Sequence, residues 1–194
     1  MSAADEPLRE SAVFNLTDAV TMVVDDSPFS MEVTIQALHG FGIRTRYAPR
    51  GTAQAMELLK LHTVDLLFID CEMEGAGGHE LVRWLRRSGM EPNAYAPVIM
   101  TASHVRRSKV VDVRDCGANF LVTKPFSPAV VLERIIWVAR DNRPFLDAGE
   151  YSGPDRRFAP SSPRNDGERR SDMIRLISHI ADKAAAAPTE GLPS

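Results

Sequence analysis

An α/β fold with a doubly wound, parallel five-stranded sheet is the fold class this sequence predicts, and three observations predict it. First, short apolar and β-branched runs recur along residues 18–141, and the one at Val64–Asp70 is apolar almost throughout, as a strand buried on both faces must be. Second, each run is followed by a helix-length amphipathic stretch, and strands alternating with helices make right-handed βαβ crossovers. Third, the runs end on chemistry-bearing residues: Asp25 and Asp26, Asp70, Thr101, and Lys124. In an open α/β sheet those carboxyl ends share one rim, where ligands bind.

The elements follow in order. Ala19–Val24 is the first strand, and Ser27-Pro28 opens the first helix, because an N-cap serine accepts an amide and proline at the next position loses no needed donor. That helix runs to about His39 and stops at Gly40-Phe41-Gly42. Ile43–Tyr47 is a weaker strand, Thr52–Leu61 a helix, and Val64–Asp70 the third strand. The glycine-rich turn Glu74–Gly78 leads into a helix over His79–Arg87. Pro97–Thr101 is the fourth strand, and the helix after it carries Val105, Val110, Val111 and Val113 and closes at Gly117. Asn119–Thr123 is the fifth strand, and Ser127-Pro128 starts a helix reaching about Arg140.

Composition sets outer bounds. With 44% apolar and 25% charged residues and a formal charge of −3, the chain reads as a soluble globular protein with no bulk electrostatic attraction to DNA or membranes. Cys71 and Cys116 follow no metal or redox spacing, which suits a reducing compartment. The N-terminal residues lack the basic and apolar regions of a secretory signal, and no apolar run approaches the roughly 18 residues that span a bilayer, so a cytoplasmic location is expected.

A single Asp after a strand is usually a turn former or helix cap. Three acids, a hydroxyl and a lysine at the ends of one sheet's strands are much harder to assign to turns. Carboxylates about 4 Å apart repel by on the order of 4 kcal/mol per pair at an effective dielectric near 20, and a divalent cation removes that penalty. Oxygen-only ligands point to Mg²⁺. A carboxylate beside such a cation can accept a phosphoryl group, whose oxygens Lys124 and Thr101 can bind.

Asp25-Asp26, Asp70, Thr101-Ala102 and Lys124-Pro125-Phe126, at this spacing over residues 18–141, resemble the receiver domain of bacterial two-component response regulators, the CheY-like family. The resemblance implies a flavodoxin-like (βα)5 fold in which Asp70 accepts phosphate from a sensor histidine kinase or histidine phosphotransfer protein. It also implies that Asp25, Asp26 and Asp70 hold Mg²⁺ with the backbone carbonyl of Glu72, that Lys124 contacts the phosphoryl group, and that Thr101 shifts on activation. The sequence departs from the family's pattern in four places. Glu74 stands where the family usually has Pro, and Gly77 stands where Asp is common, so a more mobile turn is expected. Glu72 occupies a variable position that tunes phosphoryl lifetime, and Leu121 replaces the aromatic partner of the switching Thr101.

The domain organisation expected is an N-terminal arm (1–17), a receiver domain (18–142), a flexible Pro- and Arg-containing linker (143–170), an amphipathic helix (171–187) and a disordered tail (188–194). On the first helix Val33, Ala37, Leu38 and Phe41 have core spacing, which leaves Met31 and Ile35 as surplus apolar residues. On the last helix Val131, Leu132, Ile135 and Val138 suit the core, leaving Val130, Ile136 and Trp137. These five form an expected partner surface for a kinase, a homodimer or the C-terminal helix.

The function expected is that of a stand-alone response regulator, a phosphoacceptor rather than an enzyme, signalling by protein contact. A phosphate sink or shuttle is the alternative. A DNA-binding regulator would need a helix-turn-helix domain, and the residues after 143 offer one helix and a tether. An aspartyl-nucleophile phosphatase would carry Asp-x-Asp at its nucleophile, where this chain has Asp70-Cys71-Glu72.

Overall fold

The computed structural model describes residues 16–155 apart from 76, 104–106, 142 and 150, with the side chains of 107–109 also outside the description. The expected arm over residues 1–15, Val105, and the helix and tail beyond 155 therefore lie outside the described residues.

Five strands make one parallel sheet in the order β2-β1-β3-β4-β5: β1 (Thr21–Val24), β2 (Thr45–Tyr47), β3 (Leu66–Asp70), β4 (Val98–Ala102) and β5 (Phe120–Thr123). Five helices alternate with them: α1 (Pro28–His39), α2 (Thr52–Leu61), α3 (Gly78–Arg87), α4 (Arg107–Cys116) and α5 (Pro128–Ala139). The predicted doubly wound architecture is thus the one observed. β3 and β4 are buried at every position because helices cover both faces of the sheet. Met22, Leu67 and Ile69 pack with Leu59 of α2, Leu81 and Leu85 of α3, and Val113 of α4 on one face. Val23, Phe68 and Ile99 pack with Met31 and Leu38 of α1 and Val131, Ile135 and Val138 of α5 on the other.

Helix starts follow their caps. The Ser27 hydroxyl accepts the Ser30 amide at 3.3 Å, and Ser127 does the same for Val130 at 3.4 Å. α3 starts against the end of β3, and there glycine is needed for space: a Cβ on Gly78 would stand 2.1 Å from the Asp70 carbonyl oxygen.

The helical phase of α1 corrects one expectation. Met31, Thr34, Ala37 and Leu38 face inward, while Val33 is 42% exposed. Ile35, Val130 and Trp137 are half-buried against the same core, so the expected apolar strip is largely absorbed into the fold. Ile136 and Trp137 instead line a shallow groove with Glu133, Arg140 and Asp141. On α4, Val113 is buried, but Val110 and Val111 are about half exposed.

A second correction concerns the start of the expected linker. Two strands, β6 (Phe145–Ala148) and β7 (Tyr151–Pro154), pair antiparallel as a hairpin, with Gly149 after β6 at φ +58°. The hairpin is held by tertiary docking. Phe145 meets Tyr95 edge-on at 4.8 Å and lies under the Arg86 guanidinium, 5.5 Å from its ring centre. Ser152 Oγ donates to the Arg86 carbonyl at 3.1 Å. Gly117 and Gly153 let two backbones touch: a Cβ on Gly117, whose φ is +94°, would stand 2.3 Å from the Ser152 carbonyl oxygen.

Arg86 is the fastening at this end of the sheet. Its guanidinium donates to the carbonyls of Gly117, Ala94 and Ala96 at 2.8–2.9 Å and to the Asn119 side chain at 3.2 Å. These partners are neutral, and burial lowers its pKa to about 10. The guanidinium stays charged at neutral pH, and its burial costs stability below about pH 10 that the hydrogen bonds must offset.

A chain ending at Arg143 uncovers Arg86 and Tyr95 and should be less stable by about 2–3 kcal/mol, lowering the melting temperature by roughly 5–10 °C. Thermal unfolding by circular dichroism checks this, and an unchanged midpoint would show that the hairpin contributes nothing to the folded unit.

Candidate functional site

The strand order reverses at β1, so β2 and β3 leave it in opposite directions and a crevice opens at the carboxyl ends of β1 and β3. Asp25 and Asp26 follow β1, Asp70 ends β3, Thr101 lies beside Asp70 on β4, and Lys124 follows β5. The ladder continues to Lys124, whose amide donates to the Ala102 carbonyl at 2.8 Å and fixes where its side chain departs.

All five residues meet. Lys124 Nζ donates to Asp25 Oδ2 at 2.8 Å and to Asp70 Oδ1 at 2.7 Å. Thr101 Oγ1 stands 3.4 Å from the same Asp70 oxygen. One oxygen from each of Asp25, Asp26 and Asp70 lies within 4.8 Å of the others. Asp25 and Asp70 are buried, whereas Asp26 is half-buried at the mouth.

The charge balance explains the behaviour of the lysine. Burial of its ammonium pulls the Lys124 pKa down, but hydrogen bonds to Asp25 and Asp70 and their negative charges outweigh burial, and the net shift is upward. One ammonium among three carboxylates still leaves the cluster net negative. An oxygen-only donor set of this charge and spacing fits a hard divalent cation such as Mg²⁺.

Backbone amides position the rest. Asp25 Oδ1 accepts the Ser27 amide at 2.9 Å, and Asp70 Oδ2 accepts that of Glu72 at 3.0 Å, which puts the Glu72 main chain beside Asp70. The exposed Glu72 carboxylate accepts the Ser103 amide at 3.3 Å, spanning the loops after β3 and β4. Glu74 gives its amide to Asp26 Oδ2 at 2.8 Å, a bond proline could not make. The turn read in sequence as loosened by the absence of proline is therefore tied to the β1–α1 loop. Leu121 pairs in register with Met100 and is half-buried against the α2–α4 side of the core.

Sequence reasoning missed Ser30, whose hydroxyl donates to Asp25 Oδ2 at 2.5 Å. Its position three residues after a capping serine carried only a helix signal. It also missed the groove beside the site, where Phe29 (80% exposed), Val33, Ala37, Phe126 and Pro128 form an apolar floor edged by Glu32 and Gln36.

The family model for the response regulator receiver domain matches residues 21–136. The chain belongs to that family. Among receivers and their relatives, it is 30% identical over 115 residues to chemotaxis protein CheY of Pseudomonas aeruginosa, covering 59% of this chain and 90% of CheY. It is 31% identical over 146 residues to the transcriptional regulatory protein CseB of Streptomyces avermitilis, covering 75% of this chain but only 57% of CseB. The solved structure of Vibrio cholerae CheY4 superposes with a TM-score of 0.56 at 22% identity, over 62% of this chain and 98% of that one, which speaks to the fold. A response regulator/GGDEF domain protein superposes at a TM-score of 0.57 and 23% identity, over 63% of this chain and 50% of that one. The receiver fold therefore occurs both nearly alone and within longer chains. The β6–β7 hairpin lies beyond the residues the receiver model matches.

Receivers are signalling domains that interact with histidine kinases or phosphotransfer proteins and bind Mg²⁺ at an acidic pocket. No helix among the described residues of this receiver is long and apolar enough to cross a membrane.

Lys124→Ala removes the only cation bonded to Asp25 and Asp70 among the described residues and should cost about 2–4 kcal/mol of stability near neutral pH. Millimolar Mg²⁺ should restore more of the melting temperature in this variant than it adds to the wild type. Because the Lys124 pKa is raised on folding, the wild type keeps this contribution up to its ordinary value of 10.5 and loses it as pH rises through the folded value. Melting curves across pH 7–11.5 test both statements.

Proposed function

We propose that this receiver is a stand-alone, cytoplasmic phosphoacceptor switch. Asp70 takes a phosphoryl group from a histidine kinase or phosphotransfer protein, and the output is protein contact. The observation that carries the reading is the Lys124 ammonium bonded at once to Asp25 and Asp70, with Asp26 in the same 4.8 Å cluster. The match spanning 90% of CheY of P. aeruginosa supports the stand-alone reading, and two buried cysteines, neither in a disulfide, suit a reducing compartment.

In this reading Asp25, Asp26 and Asp70, with the Glu72 carbonyl, hold Mg²⁺, which when bound offsets charge on the phosphoryl oxygens and the clustered acids. An Asp70 oxygen forms the bond to phosphorus as the phosphorus–nitrogen bond to the donor imidazole breaks, and the electron pair stays on the imidazole nitrogen. Lys124 exchanges Asp70 Oδ1 for a phosphoryl oxygen, and Thr101 Oγ1, already beside that carboxylate, donates to another. The product adds about −1.5 to −2 charge, which draws Lys124 and Thr101 toward it. In this reading Leu121, half-buried against the α2–α4 core, stands in the place of the aromatic partner of Thr101.

The apolar groove of Phe29, Val33, Phe126 and Pro128 borders this site and is the face on which the phosphodonor protein docks. In this reading it takes the place of the expected surface of Met31, Ile35, Val130, Ile136 and Trp137, of which Met31 is buried.

Incubation with an acyl phosphate and Mg²⁺ should label the wild type to about one phosphoryl group per chain, and Asp70→Asn should abolish labelling. Val33→Asp should leave labelling by the small donor unchanged while slowing transfer from a histidine kinase at least tenfold. Multiple turnover on phosphate esters, or labelling retained in Asp70→Asn, would reject the phosphoacceptor reading.

A further inference from the structure

Asp25 is held by more than the residues that share its pocket. A carboxylate has about four lone-pair positions. On Asp25 three of these are taken: Oδ1 by the Ser27 amide at 2.9 Å, and Oδ2 by Lys124 Nζ at 2.8 Å and by the Ser30 hydroxyl at 2.5 Å. By this count one position, on Oδ1, stays open. Which oxygen is left open depends on the two donors sharing Oδ2.

Ser30 is itself fixed. Its amide donates to the Ser27 hydroxyl at 3.3 Å, and its carbonyl accepts Thr34 Oγ1 at 3.0 Å, so the first turn of α1 sets where its hydroxyl points. The ammonium sits at the end of a four-carbon stem and is shared with Asp70, so its position is not set by α1.

We propose that Ser30 is a positioning residue for divalent-cation binding: its hydroxyl anchors Asp25 Oδ2 to α1, opposing the pull of Lys124, and so keeps Asp25 Oδ1 available to the ion. Without the hydroxyl, Oδ2 answers to Lys124 alone, and the carboxylate turns with the ammonium, which takes Oδ1 out of its set position. A hydrogen bond to a ligating carboxylate commonly contributes 10–100-fold in metal affinity. The inference rests on the reading of the acidic cluster as a cation site.

The test is isothermal titration of the full chain with MgCl₂ in the absence of any phosphodonor, on wild type, Ser30→Ala and Ser30→Thr, with circular dichroism to verify folding. Alanine is a good helix former, so the backbone of α1 should persist. The expected result is Mg²⁺ affinity lowered about tenfold in Ser30→Ala and kept within about threefold of wild type in Ser30→Thr, which retains the hydroxyl. Equal affinity in Ser30→Ala and wild type would overturn the role of Ser30 while leaving the cation site standing. Ser30→Thr as weak as Ser30→Ala would also overturn it, because the hydroxyl would then not be the cause. A wild type that takes up no Mg²⁺ would remove the cation site and this inference together.

Discussion

The Lys124 ammonium, shared between Asp25 and Asp70, is the interaction on which the arrangement of the rim depends. Strands in a sheet stand about 4.8 Å apart, so β1 and β5, three spacings away from each other, are separated by roughly 14 Å. Only a long, flexible cation can reach from the end of β5 to carboxylates on β3 and β1, and the two aspartates lean in to meet it. The bridge draws together residues 99 positions apart in the chain. It also leaves the cluster short of positive charge. Three acids converge on one ammonium, and that deficit makes the site receptive to a divalent ion.

The two ends of the sheet solve a similar problem with different chemistry. At the carboxyl end, paired charges raise the pKa of Lys124 despite its burial. At the opposite end, Arg86 is buried among neutral carbonyls and an amide, and its pKa falls to about 10. The first arrangement can exchange partners, because an ammonium gives up one carboxylate oxygen for another oxygen at little geometric cost. The second cannot, because planar guanidinium donors fitted to separate carbonyls lose several bonds if any piece moves. Exchange belongs at a reacting site and rigidity beneath it, and the hairpin β6–β7 closes over the rigid end.

What the sequence made legible was whatever depends on local chemistry and period. Helix α2 lies where Thr52 and Leu61 bound it, and the residues at the strand ends converge because a doubly wound sheet leaves them no other edge. The hairpin was not legible. Phe145–Pro154 contains glycine and proline and no sustained alternation, and its order comes from contacts with Arg86, Tyr95 and Gly117, far away in the chain. The exchange of Met31 and Val33 between core and surface has a different cause. Both fit an apolar helical stripe, and the rotation of α1 about its axis, which buries Met31 with Ala37 and Leu38 and leaves Val33 exposed, is a matter of tertiary packing that the spacing does not display. What Glu74 contributes is a backbone N–H, which the side-chain pattern does not display.

The first turn of α1 therefore serves two surfaces at once. Inward, Ser27 and Ser30 hold both oxygens of Asp25. Outward, Phe29 stands almost fully exposed on the same turn, and Val33 follows one turn later in the groove with Phe126 and Pro128. In the proposed docking, a partner seated in that groove presses on the segment that orients a carboxylate of the acidic cluster. It also contacts the loop that begins immediately after Lys124. Docking there would join recognition to chemistry through covalent neighbours, without a path through the core. A substitution between Ser27 and Val33 is therefore read correctly only when both partner affinity and the state of the site are measured.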